Sequence, residues 1–175
     1  RSAKALAPTP ANQAGVRLHG QSTERNDTMN NNISTTNAER GNRKQNPLTS
    51  GDLRNFSGDL ERFRHALNRN VIYTPGVQYV AEKGEAYWLI DAIASWIGSE
   101  PFNEAVAKDD RIGEMHFWTL RRIQGNAATL EAKADSPDKP FIVQDIEFTD
   151  FPLDKIDIWA GFDGKHWTLY LPSEH

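Results

Sequence analysis

The chain contains no cysteine. That excludes a disulfide framework, a thiol nucleophile and every thiolate metal site, and it fits a reducing, cytoplasmic setting. No apolar run approaches the roughly 18 residues that a membrane span needs, so no membrane partner is expected. The opening RSAKALAPTPANQAG has one Lys and one Arg but no apolar stretch behind them, and reads as a poor signal peptide. Hydrophobic residues make up only 38% of 175, which places part of the chain outside any core. Catalytic signatures are missing as well. There is no Gly-x-Ser-x-Gly, no His-Glu-x-x-His and no Gly-rich phosphate loop. Glu114-x-His116 and Asp163-x-x-His166 could each offer two metal ligands, but a site needs three or four. No cofactor and no metal are expected.

Charge is uneven. Net charge is −4, but residues 1–50 carry seven basic and three acidic residues, leaving 13 basic and 21 acidic residues for 51–175. A tail of +4 precedes a body of −8. An acidic body repels phosphate backbones, which argues against nucleic-acid binding by the folded part. Residues 1–46, with NDTMNNNISTTNAERGNRKQN, are Asn-rich and poor in apolar groups, and read as a disordered, weakly basic tail. Met29 raises the hypothesis of a natural start there, with residues 1–28 lying upstream; an ordinary internal Met is the alternative. A peptide from residues 1–28 in mass spectra of the native protein would dismiss the hypothesis.

Residues 47–175 read as one α+β domain. Leu53, Phe56, Leu60, Phe63 and Leu67 recur at helical spacing, interrupted by Ser57-Gly58. This predicts two short helices, or one helix followed by an extended piece. VIYTPGVQYVAEKG reads as a β-hairpin, with Thr74-Pro75-Gly76 as its turn. Glu85 to Gly98 is the surest helix, apolar along Ala86, Leu89, Ile90, Ile93, Ala94, Trp96 and Ile97. Ser99-Glu100-Pro101 starts a further short helix, expected to be exposed. The last third is strand: EMHFWTLRRI, ATLEAKA, FIVQDIEF, KIDIWAGF and HWTLYL, separated by turns that include Asp163-Gly164. The expected architecture is an antiparallel meander of about five to seven strands packed on one main helix, with a short N-terminal helical region.

Candidate chemistry competes with plainer readings. His65, His116 and His166 are the domain's internal histidines; a structural or surface role is the ordinary one for each. Asp91, inside YWLIDAIASW, is either a buried, perturbed carboxylate or a helix-edge acid, wetted or paired with Arg62 or Arg64. Five Trp and four Tyr exceed what a small core easily hides. Trp88 on the far side of its helix, with Trp118, Trp159 and Tyr170 on strands, could form an exposed aromatic patch of the kind found at interfaces.

NVIYTPGVQYVAEKGEAYWLIDAIAS, EFTDFPLDKIDIW and LYLPSEH resemble an uncharacterised family of small bacterial proteins, found also in phage and plasmid contexts. Its pattern runs YTxGVxYxA, AYWLxD, TDFPL, LPSE. The likeness spans about residues 53–175. Pro75 stands where an Asp is usual, and PFNEAVAKDD looks like an addition. The resemblance implies no enzyme and supplies no functional residues. It implies a small accessory protein of a bacterium or its mobile elements.

Three functional readings follow. The first is a non-enzymatic, cytoplasmic domain acting through a protein partner or as a homodimer. The second is a small hydrolase or ligand-binding enzyme, with His65, Tyr73, Asp91 and His166 converging in one pocket. The third is nucleic-acid contact through the basic tail.

Overall fold

A computed structural model describes residues 47–175 except Asp59. The expectations placed on residues 1–46, Met29 among them, lie outside the described residues.

Seven strands form one sheet, in the order β1-β2-β7-β6-β3-β4-β5. They are β1 (Phe63–Arg64), β2 (Val71–Tyr73), β3 (Met115–Arg122), β4 (Ala128–Lys133), β5 (Ile142–Ile146), β6 (Lys155–Phe162) and β7 (Trp167–Tyr170). Three helices lie between β2 and β3 in sequence: α1 (Pro75–Lys83), α2 (Tyr87–Trp96) and α3 (Glu100–Lys108). The α+β class stands. The pure meander does not. β2 pairs with β7 in parallel, and β6 lies between β3 and β7 rather than beside β5.

The reason lies in burial. β6 alternates Ile156, Ile158 and Ala160 into the core, whereas β5 buries only Ile142. A strand with a full apolar face gains most from two neighbours. A strand with little to bury is left at the edge. The linker from β5 to β6 is anchored by Phe151, fully buried, and Leu153. Thr149 Oγ1 accepts from Phe151 N at 3.1 Å, a self-bonding turn within Thr-Asp-Phe-Pro, with Asp150 exposed.

The predicted hairpin is a strand followed by a helix. Thr-Pro-Gly serves a β-turn, but Thr followed by Pro also serves a helix N-terminus. Thr74 Oγ1 accepts from Val77 N at 3.4 Å, and Pro75, which has no N–H to leave unpaired, opens α1. Val77, Val80 and Ala81 recur at 3 and 4 and are all buried. That period decides for helix.

α2 matches its prediction, burying Leu89, Ile90, Ile93 and Ala94. α3 is not simply exposed: Ser99 caps it, and Phe102 reaches the core. The N-terminal stripe yields only a 3-10 turn at Asp52–Asn55, and the next regular element is β1. Leu60 and Leu67 stand 97% and 88% exposed, so their spacing did not mark a helix.

One buried joint ties the two ends of the domain together. The Glu174 carboxylate accepts from Gly76 N at 3.0 Å, Leu171 N at 2.9 Å and the Thr74 hydroxyl. A negative charge thereby sits on the first turn of α1, where the helix dipole favours it. A Cβ on Gly76 would fall 2.6 Å from that carboxylate and must displace it from the bonds that hold it. The joint also fixes the C-terminal 3-10 turn, Pro172–Glu174, which delivers His175 onto the sheet.

Candidate functional site: the uncovered face of the sheet

Side chains alternate across a strand, so β-pairing sorts them into two faces. One face carries His116, Trp118, Leu120, Leu130, Ala132, Ile156, Ile158, Ala160, Trp167 and Leu169, all buried. α2 joins this layer, with Trp96 Nε1 donating to Gln144 Oε1 at 2.7 Å. On the opposite face the register builds cross-strand rows. Lys133, Phe117, Trp159 and Tyr170 form the first. Val143, Glu131, Thr119 and Asp157 form the second, and Asp145, Thr129, Arg121 and Lys155 the third. Among the described residues no helix lies over these rows. The chain's 3-10 turns approach one corner of the face, near Lys155 and Asp157.

The aromatic row is a continuous set of ring contacts. Phe117 meets Trp159 edge-on at 5.2 Å, Trp159 meets Tyr170 at 6.1 Å, and His175 stacks on Tyr170 at 5.8 Å and 9°. Tyr170 leans over Gly161, where the missing side chain leaves it room. Partial burial raises the Tyr170 hydroxyl pKa. All three row aromatics remain partly solvent-exposed. Beside them the charges are ordered. Lys155 Nζ lies 2.7 Å from Asp157, whose other oxygen accepts from Thr119 Oγ1 at 2.7 Å. Lys133 lies 3.8 Å from Glu131. Phe117, Thr119, Arg121, Lys133, Lys155 and Trp159 line a concavity of about 490 Å³, walled at one side by Asp135 and Ser136.

The residues singled out from sequence divide between the faces. Trp159 and Tyr170 are on the uncovered one. Trp118 is 1% exposed in the core, a correction to its place in the expected patch. Trp88 is half-buried on α2 and packs against the core in the helix layer, so it cannot extend the patch either.

The four-residue pocket of the hydrolase reading is split by the sheet. His65 and Tyr73 lie on the helix side, and Asp91 reaches them from α2. Burial, with Tyr87 and Asp91 nearby, raises the Tyr73 hydroxyl pKa. His166 sits on the opposite face, its Nε2 3.4 Å from Arg64 Nη1. Asp91 is not buried, and among the described residues its ion pair is with His65 rather than an arginine. Its side chain is 64% exposed, and His65 Nε2 lies 2.8 Å from Oδ1.

The His65–Asp91 pair has its own logic. Asn68 N donates to His65 Nδ1 at 2.9 Å, which puts the ring hydrogen on Nε2, donated to Asp91. Both nitrogens are occupied, so neither can take a proton from a substrate. The loop instead ties down α2: Asn68 Nδ2 donates to the carbonyls of Ala94 and Ile97 at its C-terminal end.

His116 is wholly buried among Phe102, Trp118, Phe141 and Trp167. Its Nδ1 bonds Ile112 O at 3.2 Å, while its Nε2 and the Trp118 Nε1 have no hydrogen-bond partner among the described residues. Burial pushes its pKa down to about 4, so it is neutral at physiological pH. Among the described residues no His, Asp and Glu gather in threes to hold a metal ion. Nor is any helix long and apolar enough to cross a membrane.

Sequence reasoning missed Phe117, Arg121, Lys155, Asp157 and His175. A usable signal existed for the first four. They fall at the alternate positions of β3 and β6, opposite the buried set.

No curated protein matches the chain. Among solved structures, a protein of unknown function from Enterococcus faecalis matches at 20% identity and a TM-score of 0.38, over 67% of this chain and 93% of that one. A family model matches residues 47–175, which is the whole described domain. The chain therefore belongs to DUF6876, a family of unknown function.

Proposed function

We propose that this is a non-enzymatic contact domain whose working surface is the uncovered face of the sheet, and that the face pairs with a second copy of the chain. The observation that carries this reading is the row Phe117–Trp159–Tyr170, half-exposed on a face that no helix covers among the described residues. Trp and Tyr give large, rigid contact area and are enriched at interface hot spots.

Charge favours a second copy as the occupant. The body as a whole carries −8, so two copies meeting at an arbitrary surface repel. Across the three rows, Arg121, Lys133 and Lys155 balance Glu131, Asp145 and Asp157. Like faces of this kind meet without net repulsion, and Arg121 of one copy can find Asp145 of the other.

The hydrolase reading is not favoured, since its residues lie on two faces and both nitrogens of His65 are engaged. An accessory role in a bacterium or mobile element remains part of the proposal, and rests on the family motifs alone. Analytical ultracentrifugation tests the surface. Trp159→Ala and Tyr170→Ala should each weaken self-association tenfold or more without a change in the circular dichroism spectrum. Self-association that survives both substitutions would place the interface elsewhere.

A further inference from the structure

The geometry points to a small-molecule site at one end of this face, built for a planar anion: a flat ring carrying a phosphate or carboxylate. It shares Phe117, Trp159, Arg121, Lys133, Lys155 and Asp157 with the proposed contact surface but does not depend on two copies pairing.

Arg121 and Lys155 are direct cross-strand neighbours on β3 and β6. Like charges directly opposite each other destabilise a sheet. Lys155 is compensated by Asp157 at 2.7 Å. Arg121 has no hydrogen-bonded or ionic partner among the described residues, and it is exposed. An anion seated between the two cations removes the repulsion and receives the guanidinium fork in two parallel bonds.

Two rows along, Phe117 and Trp159 meet edge-on, leaving ring surface toward the same concavity. A flat ring can stack on the indole face, as nucleobases stack on aromatic side chains. Ser136, Asp135 and the free lone pairs of Asp157 supply acceptors along the wall for hydroxyl or amino groups. The volume, about 490 Å³, falls within the range of small-ligand pockets and exceeds what a bare inorganic anion would use. An aromatic pair at one end flanked by Asp135 and Ser136, two cations at the other and Asp157 between them match a molecule such as a nucleoside monophosphate. A long polyanion fits poorly, because Glu131 and Asp145 lie along the continuation of the face.

The test is isothermal titration of the dilute, monomeric chain with adenosine monophosphate, phenyl phosphate, adenosine, inorganic phosphate and a single-stranded oligonucleotide. At least one of the two ring phosphates should bind saturably, at least tenfold more tightly than adenosine or inorganic phosphate. Arg121→Ala, an exposed change that leaves the fold intact, should weaken that binding tenfold or more. Trp159→Phe, which keeps a ring, should weaken it less. Lys165→Ala, at the tip of the β6–β7 hairpin, should leave it unchanged. Three results would overturn the site: no saturable binding of either ring phosphate, binding indifferent to Arg121→Ala, or an oligonucleotide that binds more tightly with every added nucleotide. Failure here leaves the self-association test untouched.

Discussion

Glu174 shows how one side chain can hold distant segments of this chain together. Its carboxylate occupies the space a Cβ at residue 76 would need. Gly76→Ala should therefore cost stability well beyond the roughly 1 kcal/mol of an ordinary glycine effect. The comparison that isolates the cause is Gly76→Ala in a Glu174→Ala background. There the added methyl meets no carboxylate, and most of its cost should vanish. Chemical denaturation of the four proteins gives the coupling; simple additivity would dismiss the joint.

His116 gives a second test at this scale, through pH. Its folded-state pKa, about 4, lies below the ordinary 6.5. The folded state therefore holds fewer protons than the unfolded one between these values. Its neutral form contributes stability that is fully present above pH 6.5 and is lost as pH falls toward 4. A shift of that size corresponds to about 3 kcal/mol. Thermal unfolding of His116→Phe should lose that part of the slope between pH 6.5 and 4. An unchanged slope would mean that His116 takes its proton without unfolding the core.

Among the elements, α2 depends on a loop it does not touch in sequence. Asn68 bonds two carbonyls at the end of α2, and His65 holds the loop against Asp91. Asn68→Ala should cost about 1 kcal/mol. It should also speed amide exchange in residues 95–99, with that of β3 unchanged. Uniform acceleration across the domain would show that the loop supports the core rather than the helix end.

The same scale shows what the sequence could reveal. α2, β3, β4 and the Asp163-Gly164 hairpin were legible because their periods are unambiguous and their neighbours are near in sequence. α1 was misread because Thr74-Pro75 is compatible with two local structures. Only Val77, Val80 and Ala81, weighed together, separate them. The order of β6 and β7 was hidden for a different reason. It depends on a parallel pairing between β2 and β7, almost 100 positions apart, and no local pattern records that. The site suffered likewise. Trp159 and Tyr170 stood out as residue types, but Phe117, Arg121 and Lys155 acquire meaning only once β3 and β6 are neighbours. His65 and Asp91 entered only the hydrolase reading, as residue types, and the Asn68 backbone bond that occupies the ring is a contact no local pattern records.

For the whole molecule, the account comes down to asymmetry. Among the described residues the helices cover one face of a seven-stranded sheet and leave the other with aromatics and balanced charge. Trp118 and Trp88 are absorbed by the covered side, so the surplus aromatic residues of the sequence are partly core and partly surface. Self-association through the open face should also weaken as salt rises, if Arg121–Asp145 pairs contribute across it.

The most direct measurement is sedimentation velocity from micromolar to near-millimolar protein, on the wild type and on Trp159→Ala with matched melting temperature. The account predicts a reversible monomer–dimer equilibrium for the wild type, and a monomer throughout for the variant. A wild type that stays monomeric over the whole range, or a variant that dimerises equally well, would contradict it.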